Sequence, residues 1–254
     1  MKLGAQFYSI RTACTTPEDL YASMRKIKDI GYDIIQISGV CDIEAERLKA
    51  YSEELALPIT ATHKAIDLIL NDTDNLIAYH KTIGCPVIGL GSMPQQYRTS
   101  VEGGRAFISS IKEAVKKIND AGLSFTYHNH SFEFNPIEGG TNLFELLFEE
   151  FPEAHFLPDV YWIKHGGYDP YETLDRIAKA GRVTNVHFKD MKTEPQGEIC
   201  PCGAGIIDFA PLAKLCKSYG IENILVEQDN APALGDVFEQ MKFSYDHLDS
   251  IVHI

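Results

Sequence analysis

Positive charge is scarce in this sequence: 23 Lys and Arg stand against 36 Asp and Glu in 254 residues, a formal charge of −13. No segment holds more than two adjacent basic residues. A phosphate backbone repels such a chain, which excludes nucleic acid as an expected partner. With 44% apolar and 23% charged side chains, the composition also rules out disorder, collagen and membrane spanning. The start, MKLGAQFYSIRT, lacks the apolar run of roughly 7–15 residues that a signal peptide needs, so a cytoplasmic location is expected. Cysteines are few, at 14, 41, 85, 200, 202 and 216. The one cluster, Cys200-Pro201-Cys202, has the spacing of neither a redox pair nor a zinc knuckle, and all six are read as reduced thiols.

Helix-like stretches recur along the chain, each stopping at a Gly or Pro and followed at once by a short β-branched or aromatic run. The stops are Gly31, Pro58, Gly84, Gly122, Pro152, Gly181 and Gly220, between 26 and 39 residues apart. That interval is the length of one strand-helix unit. Seven runs follow them: YDIIQIS, ITATH, VIGLG, LSFTYHN, HFLPDV, VTNVHF and ENILVEQ. LGAQFYS at the start makes eight strands. Thr16-Pro17-Glu18-Asp19 is a helix start, and Leu20, Met24 and Ile27 follow at helical spacing. Ile108, Ile111, Val115 and Ile118 form a second apolar stripe that ends before Gly122. Eight alternating units with no linker fit one α/β domain over residues 1–254, a closed (β/α)8 TIM barrel. The competing open doubly wound sheet calls for a glycine-rich turn after strand one, and QFYSIRTACTT contains no glycine.

In such a barrel the chemistry lies at the C-terminal ends of the strands. Polar residues gather there: Gln6, Tyr8 and Ser9 after strand one, Gln36 and Ser38 after two, His63 and Lys64 after three. Tyr127-His128-Asn129-His130 and Glu133 follow strand five, Asp159 strand six, His187 and Lys189-Asp190 strand seven, and Glu227-Gln228-Asp229 strand eight. Because residues two apart share a face, His128, His187, Lys189, Glu227 and Asp229 point into the barrel if Tyr127, Val186, Phe188 and Val226 point out. Carboxylates and imidazoles converging at one mouth would repel or desolvate one another, and a divalent cation among them is the economical remedy. Each acid taken alone reads equally well as a solvated strand end or ion-pair partner, and His187 as a core histidine.

Six segments, LGAQFYSIR, GLSFTYHNHSFEF, DVYWIKHGGYDP, GRVTNVHFKD, CGAGIIDF and ILVEQD, together resemble the xylose-isomerase-like TIM-barrel family of sugar phosphate isomerases and epimerases, which is related to inosose dehydratase. The resemblance runs from residue 3 to about 230. It implies one divalent metal ion, manganese first, with Mg2+, Co2+ or Zn2+ as alternatives. By the resemblance Asp159, His187 and Glu227 are ligands. The strand-five ligand, a glutamate in the family, is expected to be Glu133, with His128 the alternative. Gln36 replaces an acid that relatives often carry.

What the resemblance implies for activity is removal of a proton next to a carbonyl of a small-molecule carbohydrate, through an enediolate. Glu133 and Glu227 are then the expected acid-base pair, and Lys189 stabilises the enediolate oxygen or forms a salt bridge to Asp190 or Asp159. Gln6, Tyr8, Gln36 and His128 are expected to touch substrate, as are His63, His130, Trp162 and Lys189, although Trp162 serves equally as packing. Isomerisation or epimerisation is the first expectation. A leaving group β to the carbonyl turns the same apparatus into a lyase or dehydratase. Phosphodiester cleavage, also present on this barrel, requires a trinuclear site and a basic face that this sequence lacks. No arginine cluster marks a phosphate, though backbone amides near Gly203 and Gly205 could bind one. Barrels of this type commonly pair as homodimers, and no sequence pattern here specifies an oligomer.

Overall fold

The structure, a computed structural model, describes residues 1–194 and 196–253. Eight strands carry the fold: β1 (Lys2–Gln6), β2 (Ile34–Ile37), β3 (Ile59–His63), β4 (Val87–Leu90), β5 (Ser124–His128), β6 (His155–Leu157), β7 (Val186–Phe188) and β8 (Asn223–Val226). They are hydrogen-bonded in the order β6-β5-β4-β3-β2-β1-β8-β7, and every pairing is parallel. Between β6 and β7 the ladder thins to isolated bridges, Phe156 with Val183 and Asp159 with His187. The Phe156 N–H donates to the Arg182 carbonyl at 2.7 Å, and the His187 N–H to that of Pro158 at 2.9 Å. The sheet is thus a nearly closed eight-stranded parallel barrel with this thin seam.

Local chemistry sets the helices around it. Thr16 caps the helix Pro17–Ile30 by accepting from the Asp19 N–H at 3.1 Å, and Glu18 and Asp19 face its positive end. Leu20, Met24 and Ile27 are fully buried, which contributes about 1.5–3 kcal/mol for each side chain. Ser100 caps the helix Val101–Asp120 in the same way, through Gly103 N–H. Alternation along the strands sorts the faces. Phe125 packs outward on Phe151 and Tyr127 on Phe107, while Phe188 stacks on Phe209 at 4.9 Å. Their neighbours Thr126, His128 and His187 turn into the barrel.

The units are less uniform than a single strand and helix each. Two helices, Ile66–Asn71 and Thr73–Thr82, lie between β3 and β4, and Val160–His165 precedes Pro170–Lys179 after β6. Strand β1 stops at Gln6 because the Gln6 Oε1 accepts from the Tyr8 N–H at 3.1 Å, which turns the chain into a 3-10 segment, Phe7–Ala13. After β7 a two-stranded antiparallel ribbon pairs Asp190–Met191 with Ile199–Cys200. None of the six cysteines is paired with another. Among the described residues no helix is long and apolar enough to cross a membrane.

Candidate metal centre and active site

Four strand ends bring four side chains to one point. His128 ends β5. Its Nδ1 lies 3.1 Å from the Gly91 carbonyl, which fixes a proton on Nδ1 and leaves Nε2 facing inward. Asp159, two residues beyond β6, caps the helix Val160–His165: its Oδ1 accepts from the Trp162 N–H at 3.0 Å, and Asn129 Oδ1 accepts from its own N–H at 3.0 Å. Asp159 Oδ2 is left pointing into the barrel. On β7 the His187 Nε2 donates to Gln36 Oε1 at 2.6 Å, so Nδ1 faces Glu227, whose Oε2 is 2.9 Å away. Glu227 follows β8.

His128, Asp159, His187 and Glu227 are all buried, and their four donor atoms lie within 4.8 Å of one another. Separations such as 3.5 Å from His128 Nε2 to Asp159 Oδ2 and 3.8 Å from His187 Nδ1 to Asp159 Oδ2 are those of neighbouring ligands around a cation about 2.1 Å from each. His128 Nε2, Asp159 Oδ2 and His187 Nδ1 have no hydrogen-bond partner. Buried donor atoms facing one another in this way are costly unless a proton, as on His128, or an ion joins them. The donor set of two imidazoles and two carboxylates, without thiolate, fits a divalent transition metal.

Lys189 supplies the other positive charge. Fully buried, its Nζ lies 2.6 Å from Asp229, 3.1 Å from Glu227 and 3.4 Å from Asp159. Burial opposes ionisation of Asp159 and Glu227, yet the ammonium and the imidazoles hold both carboxyls below the ordinary range. Burial also pushes His128 down, and the two carboxylates override it and carry the imidazole up to about 10. His63 and His130 behave oppositely. Burial and the neighbouring His128 hold both well down, His130 at about 3, so these imidazoles are neutral.

A cavity of about 490 Å³ opens over the cluster, and of the expected substrate contacts Tyr8, His63, His128, His130 and Lys189 line it, together with Glu227. Close backbone approach makes this wall: a Cβ on Gly89 would stand 2.4 Å from the Thr62 carbonyl and 2.9 Å from the His63 ring. Gln6, Gln36 and Trp162 do not line the cavity. Gln6 is spent on capping the 3-10 turn and Gln36 on orienting His187, while Trp162 packs against His130 at 5.3 Å and under Lys189 at 5.0 Å.

Glu133 lies outside the four-residue cluster. The 3-10 turn Phe132–Phe134 folds it back so that its Oε1 accepts from Tyr127 Oη at 2.6 Å and its Oε2 from the His130 N–H at 2.7 Å. Burial pushes its carboxyl up to about 7. The β5 position in the cluster is held by His128. The amides near Gly203 and Gly205 are also committed: both donate to Asp190 Oδ2, at 2.9 and 3.0 Å, and Met191 and Ile207 donate to Oδ1 at 2.8 and 3.0 Å. Arg11, Ser38, Lys64 and Ser92 line the cavity without having been singled out as substrate contacts; only the general rule that residues after a strand face the mouth could have found them.

The parallel barrel thus brings histidines and carboxylates from β5 to β8 together at its C-terminal mouth, in a cluster that could hold a metal ion. Residues 24–246 match the model of the family described as xylose isomerase-like TIM barrel, and the chain belongs to that family. Inosose dehydratase of Geobacillus kaustophilus (strain HTA426) is 26% identical over 166 residues, 58% of this chain and 53% of that protein; the match thus spans about half the length of the curated relative. A sugar phosphate isomerase/epimerase of Parabacteroides distasonis ATCC 8503 superposes with a TM-score of 0.80 at 23% identity, over 98% of each chain. The IolI protein, solved with a zinc atom bound, gives 0.74 at 15% identity, over 99% of this chain and 98% of that one. The family includes sugar isomerases and epimerases as well as dehydratases.

Proposed function

We propose that this chain, read as one domain, is a divalent-metal-dependent enzyme that removes a proton from the carbon next to a carbonyl of a small carbohydrate, with isomerisation as the outcome. The observation that carries the reading is the convergence of four buried donor atoms within 4.8 Å beneath an open cavity. His128, Asp159, His187 and Glu227 would hold the ion, and two imidazoles among the ligands favour manganese, cobalt or zinc over magnesium. Bound there, such an ion supplies Lewis acidity to the substrate carbonyl.

The chain's own groups do the rest. Glu227, at the cavity wall, accepts the proton. The Lys189 ammonium faces the same space and stabilises negative charge developing on the substrate oxygen. Neutral His63 and His130 each present a buried ring nitrogen without a partner, His63 Nε2 and His130 Nδ1, suited to hold sugar hydroxyls. Moving a proton between adjacent carbons on one face takes a single base. Epimerisation takes a second group on the opposite face, and Glu133, the expected second carboxylate, is bound to Tyr127 and the His130 N–H instead.

Elimination is the second reading, favoured by the relative named inosose dehydratase. Incubating candidate ketoses and 3-keto-glycosides in D2O with metal-loaded protein separates the two. Deuterium uptake without dehydration supports isomerisation, whereas loss of water or aglycone supports elimination. Full activity after complete chelation would sink both.

A further inference from the structure

The reaction chamber has a neighbour that the chemistry above does not use. A second cavity, of about 570 Å³, lies between the loop after β2 and the helices Ile66–Asn71 and Thr73–Thr82 that follow β3. It shares Ser38, His63, Lys64 and Ala65 with the first. The His63 ring on this common wall stands 5.1 Å from that of His128 and 5.9 Å from that of His187, so the second cavity begins one side chain away from the metal centre. The two also adjoin at Gly39, which lines the second: a Cβ there, at a φ of +66°, would stand 2.7 Å from the ring of Tyr8, which lines the first. Each cavity has the size of a complete small-molecule site, about 300–1,000 Å³. A single sugar ring held over the metal ligands occupies only one of them.

The lining chemistry of the second cavity differs from that of the first. Val40, Ile43, Leu68, Leu76 and Tyr79 give it an apolar wall, and Leu68 is 44% exposed. One exposed leucine is ordinary, but five apolar residues in one concave wall mark a place for an apolar ligand body. Tyr79 is fixed by its hydroxyl, which donates to the Ile43 carbonyl at 3.2 Å. The charged lining residues are Lys64, Arg47, Asp42, Glu44 and Asp72. Arg47 is engaged with Glu18 at 2.5 Å, and Lys64 Nζ rests 4.7 Å from the Tyr79 ring, where burial lowers its pKa and Asp42 opposes the shift. Three acids against one remaining cation repel an anion. They accept hydrogen bonds from an uncharged group that carries hydroxyls. A second sugar would need a polar wall throughout, whereas the rings of Tyr79 and His63 suit an aromatic body.

We propose that the second cavity binds an uncharged aromatic substituent of the sugar, a phenol-derived group whose ring lies against the apolar wall. This deepens the reading above, rests on it for the place of the sugar ring, and holds for either outcome of proton removal. The test is calorimetric titration of the full chain with methyl and phenyl β-glycosides, compared pairwise for D-glucose, D-galactose and D-xylose. In at least one pair the phenyl member should bind about tenfold or more tightly, the scale of burying one ring. Adding a carboxylate to that ring should remove the advantage. Leu68→Asp, at an exposed position that folding does not need, and Val40→Asp should each bring the ratio near one without changing the methyl glycoside. Cys41 gives a second readout, because it lines the second cavity and is the one cysteine that is not buried: the phenyl glycoside should slow its alkylation by N-ethylmaleimide and the methyl glycoside should not. No phenyl advantage in any pair, or an advantage that survives both substitutions, overturns the proposal. Metal content of the same samples is read separately. A ring-dependent protection of Cys41 in protein that takes up no metal would refute the metal-centred reading alone, and a metal-loaded protein indifferent to the ring would refute this one alone.

Discussion

Replacing Lys189 by methionine tests how the acidic mouth is kept folded. Methionine has similar length and no charge, so the change removes the ammonium that lies 2.6, 3.1 and 3.4 Å from Asp229, Glu227 and Asp159. Asp159 and Glu227 have side-chain exposures of 0 and 5%, and water cannot take over. Removing one partner of a buried ion pair costs about 3–5 kcal/mol. At roughly 2–4 °C per kcal/mol for a chain of this size, the metal-free variant should melt about 6–20 °C below the wild type. A divalent cation repairs the same deficit. At a hundred times its dissociation constant a ligand adds about 2.7 kcal/mol, and the variant, with three uncompensated carboxylates, should gain more than the wild type. The assay is thermal unfolding in chelator and in excess manganese or zinc. A metal-free drop below about 2 °C, or a gap that does not narrow with metal, refutes the electrostatic account; Lys164→Met, at the exposed pair with Glu194, is the control and should change stability by no more than about 1 kcal/mol.

Glu227→Gln should lower proton-deuterium exchange into substrate by about a hundredfold or more, the scale of a lost general base, and should lower metal content measured on the same protein. Metal affinity should depend on pH through His128. Its pKa of about 10 in the folded protein stands above the ordinary imidazole value of about 6.5, so its contribution to metal-free stability is whole below about pH 6.5 and is lost as pH rises toward about 10. The cation must displace that proton, so affinity should rise over the same interval, by up to about tenfold per pH unit; an affinity that is flat with pH in titration calorimetry contradicts this. Asp190→Asn sets an amide N–H2 against two of four backbone donors and should cost about 3 kcal/mol, seen as a melting temperature about 6–12 °C lower. Gly205→Ala should be comparably harmful, since its Cβ would stand 2.4 Å from Asp190 Oδ1 and from the Met191 carbonyl.

The barrel was legible because its punctuation is local. Helix stops such as Gly31, Gly122 and Gly181 and the runs after them sit at positions that the chain's own chemistry dictates. Alternation was enough to send Val186 and Phe188 outward and His187 inward. What the sequence could not show are contacts made across the barrel or by loop reversal. Gln36 and His187 are 151 residues apart and meet only because β2 and β7 face each other across the closed sheet. Glu133 was the expected strand-five ligand and His128 the alternative, and a single 3-10 turn reverses that order in the cluster by folding Glu133 under Tyr127. The glycines at 203 and 205 look like a free anion cradle until Asp190, on the adjoining strand, is seen to fill it.

The thin seam between β6 and β7 has a consequence for how the barrel breathes. Asp159 and His187 form one of its two isolated bridges, and both also belong to the four-residue cluster. An ion shared by them would tie shut the place where the cylinder is most easily parted. Opening of the wall and escape of such an ion would then be a single event, and the lifetime of the ion would set the exchange rate of the Thr184 and His187 amide protons and the access of a protease to the loop before Val186.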